Sequence, residues 1–203
     1  MKRNVLPGVA AALAILQVVL VLLSWAIVTV MPSLPLRSLL SGEGIRWFLG
    51  TFVDNISGSL LAWIILCSMA YGALAKSGLN KVIVSLFNGS DIGRRERHAL
   101  YTALCVLIAF TFTIVLLAFV PHAVLLGLSG SLFPSAFSAS AVALLAFAVT
   151  VMSLTYGITN GTLTNIGDIF KSLYGGIVMA APLFPIYVLA IQLYYSARFV
   201  FML

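Results

Sequence analysis

Five apolar runs of membrane-spanning length, none containing Asp or Glu, constrain this chain more than any other feature. They are roughly Val5–Met31, Ile56–Ala75, Ala99–Val120, Ala136–Ile158 and Leu173–Ala197. Each reaches or approaches the ~20 residues that a helix needs to cross the hydrocarbon of a bilayer. With 62% hydrophobic and 8% charged residues, the composition excludes a water-soluble globule, in which about 25% of residues are charged. The expected fold is all-α: a polytopic membrane helix bundle of about five transmembrane helices forming one membrane domain over 1–203. Lipid is its first partner.

The net charge of +6 does not mark a nucleic-acid binder, because the basic residues flank the apolar runs instead of lining one soluble face. Charges at such places set orientation. The loop between the second and third runs holds Lys76, Lys81, Arg94, Arg95 and Arg97 against Asp91 and Glu96. The loop after the first run balances Arg37 and Arg46 against Glu43 and Asp54. With Lys2 and Arg3 ahead of the first run, this predicts a cytoplasmic N-terminus, a cytoplasmic 76–97 loop and an outer C-terminus; Arg198 near that outer end is a mild inconsistency, and it can snorkel to the headgroups. The first run is longer than the ~7–15 residues of a signal peptide's apolar core, and no small-residue cleavage site follows Pro32, so it reads as an uncleaved helix.

Between the first two runs, Ile45, Phe48, Leu49, Phe52 and Val53 follow helical spacing. Ser41 is placed to cap that helix and Glu43 to favour its N-terminal dipole. An interfacial helix near 42–54 on the outer leaflet is expected. Pro121-His122 should end the third helix. The segment near 123–133, apolar but too short to span, should be re-entrant or interfacial. Pro182 and Pro185 should kink the fifth helix. Asn88-Gly89-Ser90-Asp91 reads as a cytoplasmic turn joining two modules, 1–87 and 92–203.

Chemical motifs are sparse. Gly127-Leu128-Ser129-Gly130 has the look of an intramembrane protease's G-x-S-G, but a serine nucleophile needs a base in reach. The only histidines are His98 and His122, and none follows in the later helices. The chain is read as no enzyme, with no catalytic, cofactor-binding or metal residues, no cofactor, and substrate-binding residues unknown. Cys67 and Cys105 read as small packing residues. Asp168, ahead of an apolar run, reads as a helix-start residue beside Lys171. Gln17 and Gln192 read as interhelical hydrogen-bonding residues.

Two stretches carry a family resemblance. The first is Leu39-Leu40-Ser41-Gly42-Glu43-Gly44-Ile45-Arg46-Trp47, continuing through Val53 and Asn55 to Ala75-Lys76-Ser77-Gly78-Leu79. The second is Tyr156-Gly157-Ile158, Gly161-Thr162, Asp168, and Ala181-Pro182 with Gln192 beyond; Ser131-Leu132-Phe133-Pro134-Ser135 also fits. Together they resemble the p-aminobenzoyl-glutamate transporter family (AbgT). The resemblance implies a multi-pass protein of the bacterial inner membrane, related to transporters of p-aminobenzoyl-glutamate or similar antimetabolites. It also implies a shortened member without the hairpin-containing transport core. Such a chain would act as a homo-oligomer, a dimer in the family, or with a second membrane subunit. Its substrate would be a small aromatic amino-acid conjugate. The alternative is a non-transporting membrane scaffold or assembly protein.

Overall fold

The computed structural model describes residues 5–89, 92–119 and 136–202. Every regular element among them is helical: α1 Val5–Val30, α2 Gly42–Gly50, α3 Phe52–Ile56, α4 Ser59–Ser77, α5 Leu79–Phe87, α6 Arg94–Phe119, α7 Ala136–Asn160, α8 Ile166–Ala180 and α9 Leu183–Phe201. Five of these helices, α1, α4, α6, α7 and α9, are long and apolar enough to span a bilayer. The chain is a helical, multi-pass membrane protein, as composition demanded. His122, Ser129 and the segment near 123–133 lie outside the described residues, as do Ser90 and Asp91 of the expected turn.

The residues divide into two compact units, Met1–Ala62 with Ala180–Leu203, and Trp63–Met179. The turn at 88–91, expected to join two modules, lies within the second unit's span.

In the first unit α1 and α9 run parallel. The Gln17 side-chain amide donates to Ser196 Oγ at 2.9 Å. Further along both helices, Leu20 and Val21 pack with Phe199, Val200 and Leu39. The backbone N–H of Leu39 donates to Ser24 Oγ at 3.2 Å, and that of Arg37 to the Val200 carbonyl at 3.0 Å. These bonds tie the loop after α1 to the C-terminal end of α9.

The helix expected near 42–54 is present in two pieces broken at Thr51. Ser41 caps it, its Oγ accepting from the Gly44 N–H at 3.0 Å. Trp47 stacks on Phe199, Asn55 donates to Gln192, and the Tyr187 hydroxyl donates to the Ile56 carbonyl at 2.8 Å. The segment therefore descends antiparallel along α9, from one end of that helix almost to the other.

The fifth apolar run is two helices, α8 and α9, and not one kinked helix. Pro182 is the N-cap residue of α9 and Pro185 falls in its first turn, where a missing N–H costs nothing. The residue before a proline is also steered away from helical geometry, which ends α8 at Ala180.

In the second unit α6 and α7 are antiparallel. Thr102 meets Thr159 at 3.4 Å and the rings of Phe110 and Phe147 lie 5.4 Å apart. Leu79 and Val82 of α5 join Ala99, Ala103 and Tyr156 in the core. The turn from α4 into α5 needs Gly78, whose φ of +83° a side chain disfavours. Thr162 secures it by donating to the Ser77 carbonyl at 2.7 Å. α8 crosses α4 antiparallel at small residues: Gly72 faces Ser172 and Gly176, and Gly176 faces the backbone of Ser68. Close backbone approach of this kind holds membrane helices together where no hydrophobic gain separates protein from lipid.

Candidate functional site: an arginine–aromatic pocket and a polar seam

The C-terminal end of α9 carries a pocket of about 370 Å³ lined by Arg37, Trp47, Tyr195, Arg198, Phe199 and Met202. Three separate pieces of chain build it. The loop after α1 brings Arg37, pinned by its backbone bond to Val200. α2 brings Trp47, whose ring stacks on Phe199 with centroids 4.4 Å apart and planes 17° from parallel. The last turn and a half of α9 brings the rest, closed by Met202 in left-handed geometry, whose N–H returns to the Arg198 carbonyl.

Both guanidinium groups rest on rings. Arg37 Cζ lies 5.6 Å from the Phe199 centroid and Arg198 Cζ 5.9 Å from that of Tyr194. Arg37 also pairs with Glu43 at 3.4 Å, with side chains 45% and 67% exposed, so that pair adds little stability. Guanidinium forks match carboxylates and phosphates, and aromatic faces hold rings and cations. The pocket is chemically fitted to an amphiphilic anion with an aromatic or apolar body.

Deeper along α9 lies an uncharged polar seam. Gln192 is the central residue of α9 and is 4% exposed; Asn55 is 8% exposed and Ser196 fully buried. Asn55 Nδ2 reaches Gln192 Oε1 at 3.5 Å and Thr51 Oγ1 at 3.4 Å, both long. Gln17 Oε1 and Gln192 Nε2 have no partner among the described residues. Unsatisfied amide atoms at such depth are costly.

Gln17 and Gln192 thus bond between helices as expected. Asp168 sits in the first turn of α8, where its carboxylate accepts from Thr164 Oγ1 at 3.1 Å and from the Asn165 N–H at 3.3 Å. Those bonds, the Thr164 hydroxyl first, hold its carboxyl below the ordinary range. His98 and Lys171 are exposed. Cys67 and Cys105 are exposed free thiols, not buried packing residues. Cys67 borders an apolar groove shared with Tyr71, Leu74, Val142, Leu145 and Val149, a surface that lipid can cover. The pocket itself was not foreseen. Its only signal was aromatic and basic residues at the ends of apolar runs, about 150 positions apart. Comparison of the chain with protein-family models, curated proteins and solved structures finds no match.

Proposed function

We propose that this chain is a bacterial inner-membrane protein of the transport machinery for small aromatic amino-acid conjugates of the p-aminobenzoyl-glutamate class. In this reading it works as a homo-oligomer or with a second membrane subunit. The observation that carries the reading is the pocket of two arginines among Trp47, Tyr195 and Phe199, since such a conjugate offers one aromatic ring and two carboxylates. A volume of about 370 Å³ lies within the ~300–1,000 Å³ of small-molecule sites. The test is equilibrium binding of labelled p-aminobenzoyl-glutamate to the full chain in lipid nanodiscs. Saturable binding is expected, weakened at least tenfold by Arg198→Ala or Arg37→Ala, since hydrogen bonds to charged groups are each worth about 1.5–3 kcal/mol. Absence of saturable binding to the unaltered protein defeats the reading.

A second reading, a scaffold that moves nothing, draws on the closely packed small residues of α4 and α8. It calls for a stable oligomer in detergent that binds no conjugate. Saturable binding rejects it.

A further inference from the structure

We propose that the charged end of the Trp63–Met179 unit is a docking surface for anionic phospholipid, whose headgroup phosphates are the counter-ions of its exposed lysines and arginines. The inference is independent of the α9 pocket and its ligand.

Within this unit every charged residue falls in two short stretches, 76–97 and 168–171. The fold brings both stretches to one end. α4 finishes there and α6 begins there, linked through α5, whose Leu79 and Val82 pack with Ala99. α7 finishes there too: Thr162, just beyond it, donates to the Ser77 carbonyl at 2.7 Å, and the Arg95 guanidinium packs on Gly161. α8 starts from the same place and returns antiparallel to α4, carrying Lys171 in its second turn. Lys76 of α4 lies across Gly175, which is four residues beyond Lys171 and so on the same face of α8. Since α4, α6 and α7 are candidate spans, the end they share stands at headgroup depth.

The charges gathered there do not balance. Lys76, Lys81, Arg94, Arg95, Arg97 and Lys171 are all exposed, with His98 beside them. None of the six cations has an ion pair among the described residues. The acids are fewer and are engaged locally. Glu96 accepts from the Gly93 N–H at 3.3 Å. Asp168 accepts from Thr164 Oγ1 and the Asn165 N–H, with Lys171 near enough to act on it. The third acid, Asp91, lies outside the described residues. Six cations against three acids leave an excess that outside anions must meet, and juxtamembrane basic clusters attract anionic lipid.

The tier beneath the charges commits the surface to lipid and not to a dissolved anion. Tyr101 follows Arg97 by four residues and Tyr174 follows Lys171 by three, so each shares a helix face with a cation and sits one turn further from the charged end. Tyr71 lies likewise inward of Lys76 on α4. These tyrosines are 59%, 42% and 58% exposed. Outward tyrosines at that level suit the boundary between headgroups and acyl chains; a phosphate in water gains nothing from them. α5 adds a second apolar contact. Its nine residues are too few to span, and while Leu79 and Val82 are buried, Val84 and Leu86 stay exposed near Lys81. A short helix with lysine and aliphatic residues both outward is fitted to lie in the lipid interface.

The test follows the melting temperature of the full chain in neutral detergent micelles. Phosphatidylglycerol, phosphatidylcholine with the same acyl chains, inorganic phosphate and a polyglutamate peptide are each titrated in. Phosphatidylglycerol alone should raise the melting temperature saturably, and high salt should weaken the rise. An equal rise with phosphatidylcholine, no rise with phosphatidylglycerol, or an equal rise with phosphate or the peptide overturns the proposal. A variant carrying Lys81→Gln, Arg94→Gln, Arg97→Gln and Lys171→Gln locates the surface; Arg95 and Lys76 are left because they pack on glycines of neighbouring segments. Each cation near an anionic leaflet contributes about a fivefold factor in affinity. The half-saturating phosphatidylglycerol concentration should therefore rise at least about tenfold in that variant and stay unchanged in Arg46→Gln, in the other unit. The same half-saturation in the fourfold variant as in the parent overturns the assignment to this end.

Discussion

At the scale of single residues, the tightest constraints fall on glycines that touch backbone. A Cβ at Gly44 would collide with the carbonyls of Ser38 and Leu39, while one at Gly42 meets nothing. Gly44→Ala should therefore destabilise the protein by about 1–3 kcal/mol, the usual scale of overpacking, with Gly42→Ala close to neutral in chemical denaturation from detergent micelles. The polar seam should matter less to stability. At 3.5 Å the Asn55–Gln192 bond is at the limit of useful geometry, and interhelical bonds in membranes average about 0.6 kcal/mol. A double-mutant cycle with Asn55→Ala and Gln192→Ala should return a coupling of that size or smaller. Asp168 sets a pH dependence. Its folded pKa is depressed from 3.8 by Thr164 and Asn165, so its contribution is complete above that value and is lost as pH falls through the lowered one. Asp168→Asn should lessen the fall in melting temperature between neutral and strongly acidic pH. Ser41 as a cap was legible because capping is local, whereas the partners of Gln17 and Gln192 were not, since pairs 179 and 137 residues apart leave no local trace.

At the scale of elements, α8 against α4 is the contact most exposed to a single added methyl. Gly176→Ala forces the Cβ into the Ser68 carbonyl, and Gly72→Ala into the backbone of α8. Either should cost about 1–3 kcal/mol or more and lower the melting temperature in detergent. Gly167→Ala, at a glycine with open space around it, should not. Four of the five spans were legible to within a few residues at most ends, because runs of Leu, Val, Ile and Phe have no other home than a spanning helix. α6 begins earlier than its apolar run, at Arg94: arginine and glutamate are good helix formers, and only hydropathy stops at Ala99. The fifth run misled because hydropathy is blind to the Ala181-Pro182 break. The helix near 42–54 was legible in its spacing and in its Ser41 cap, but its break at Thr51 and the packing of Trp47 and Asn55 on α9 were not.

At the scale of the whole molecule, the polar seam gathers where Asn55 meets Gln192 at the centre of α9. The arginine–aromatic pocket stands at the far end of the same helix. Neither is visible in any one stretch, because each is assembled from residues near position 40 or 50 and others beyond 190. The two shortest candidate spans, α4 and α9, carry one more consequence. They have nineteen residues each, about 28 Å at ~1.5 Å per residue, slightly under an average ~30 Å hydrocarbon core. Hydrophobic mismatch costs fractions of a kcal/mol per Å, and a thicker bilayer strains both at once. The protein should therefore melt higher in vesicles of short-chain phosphatidylcholine than of long-chain lipid.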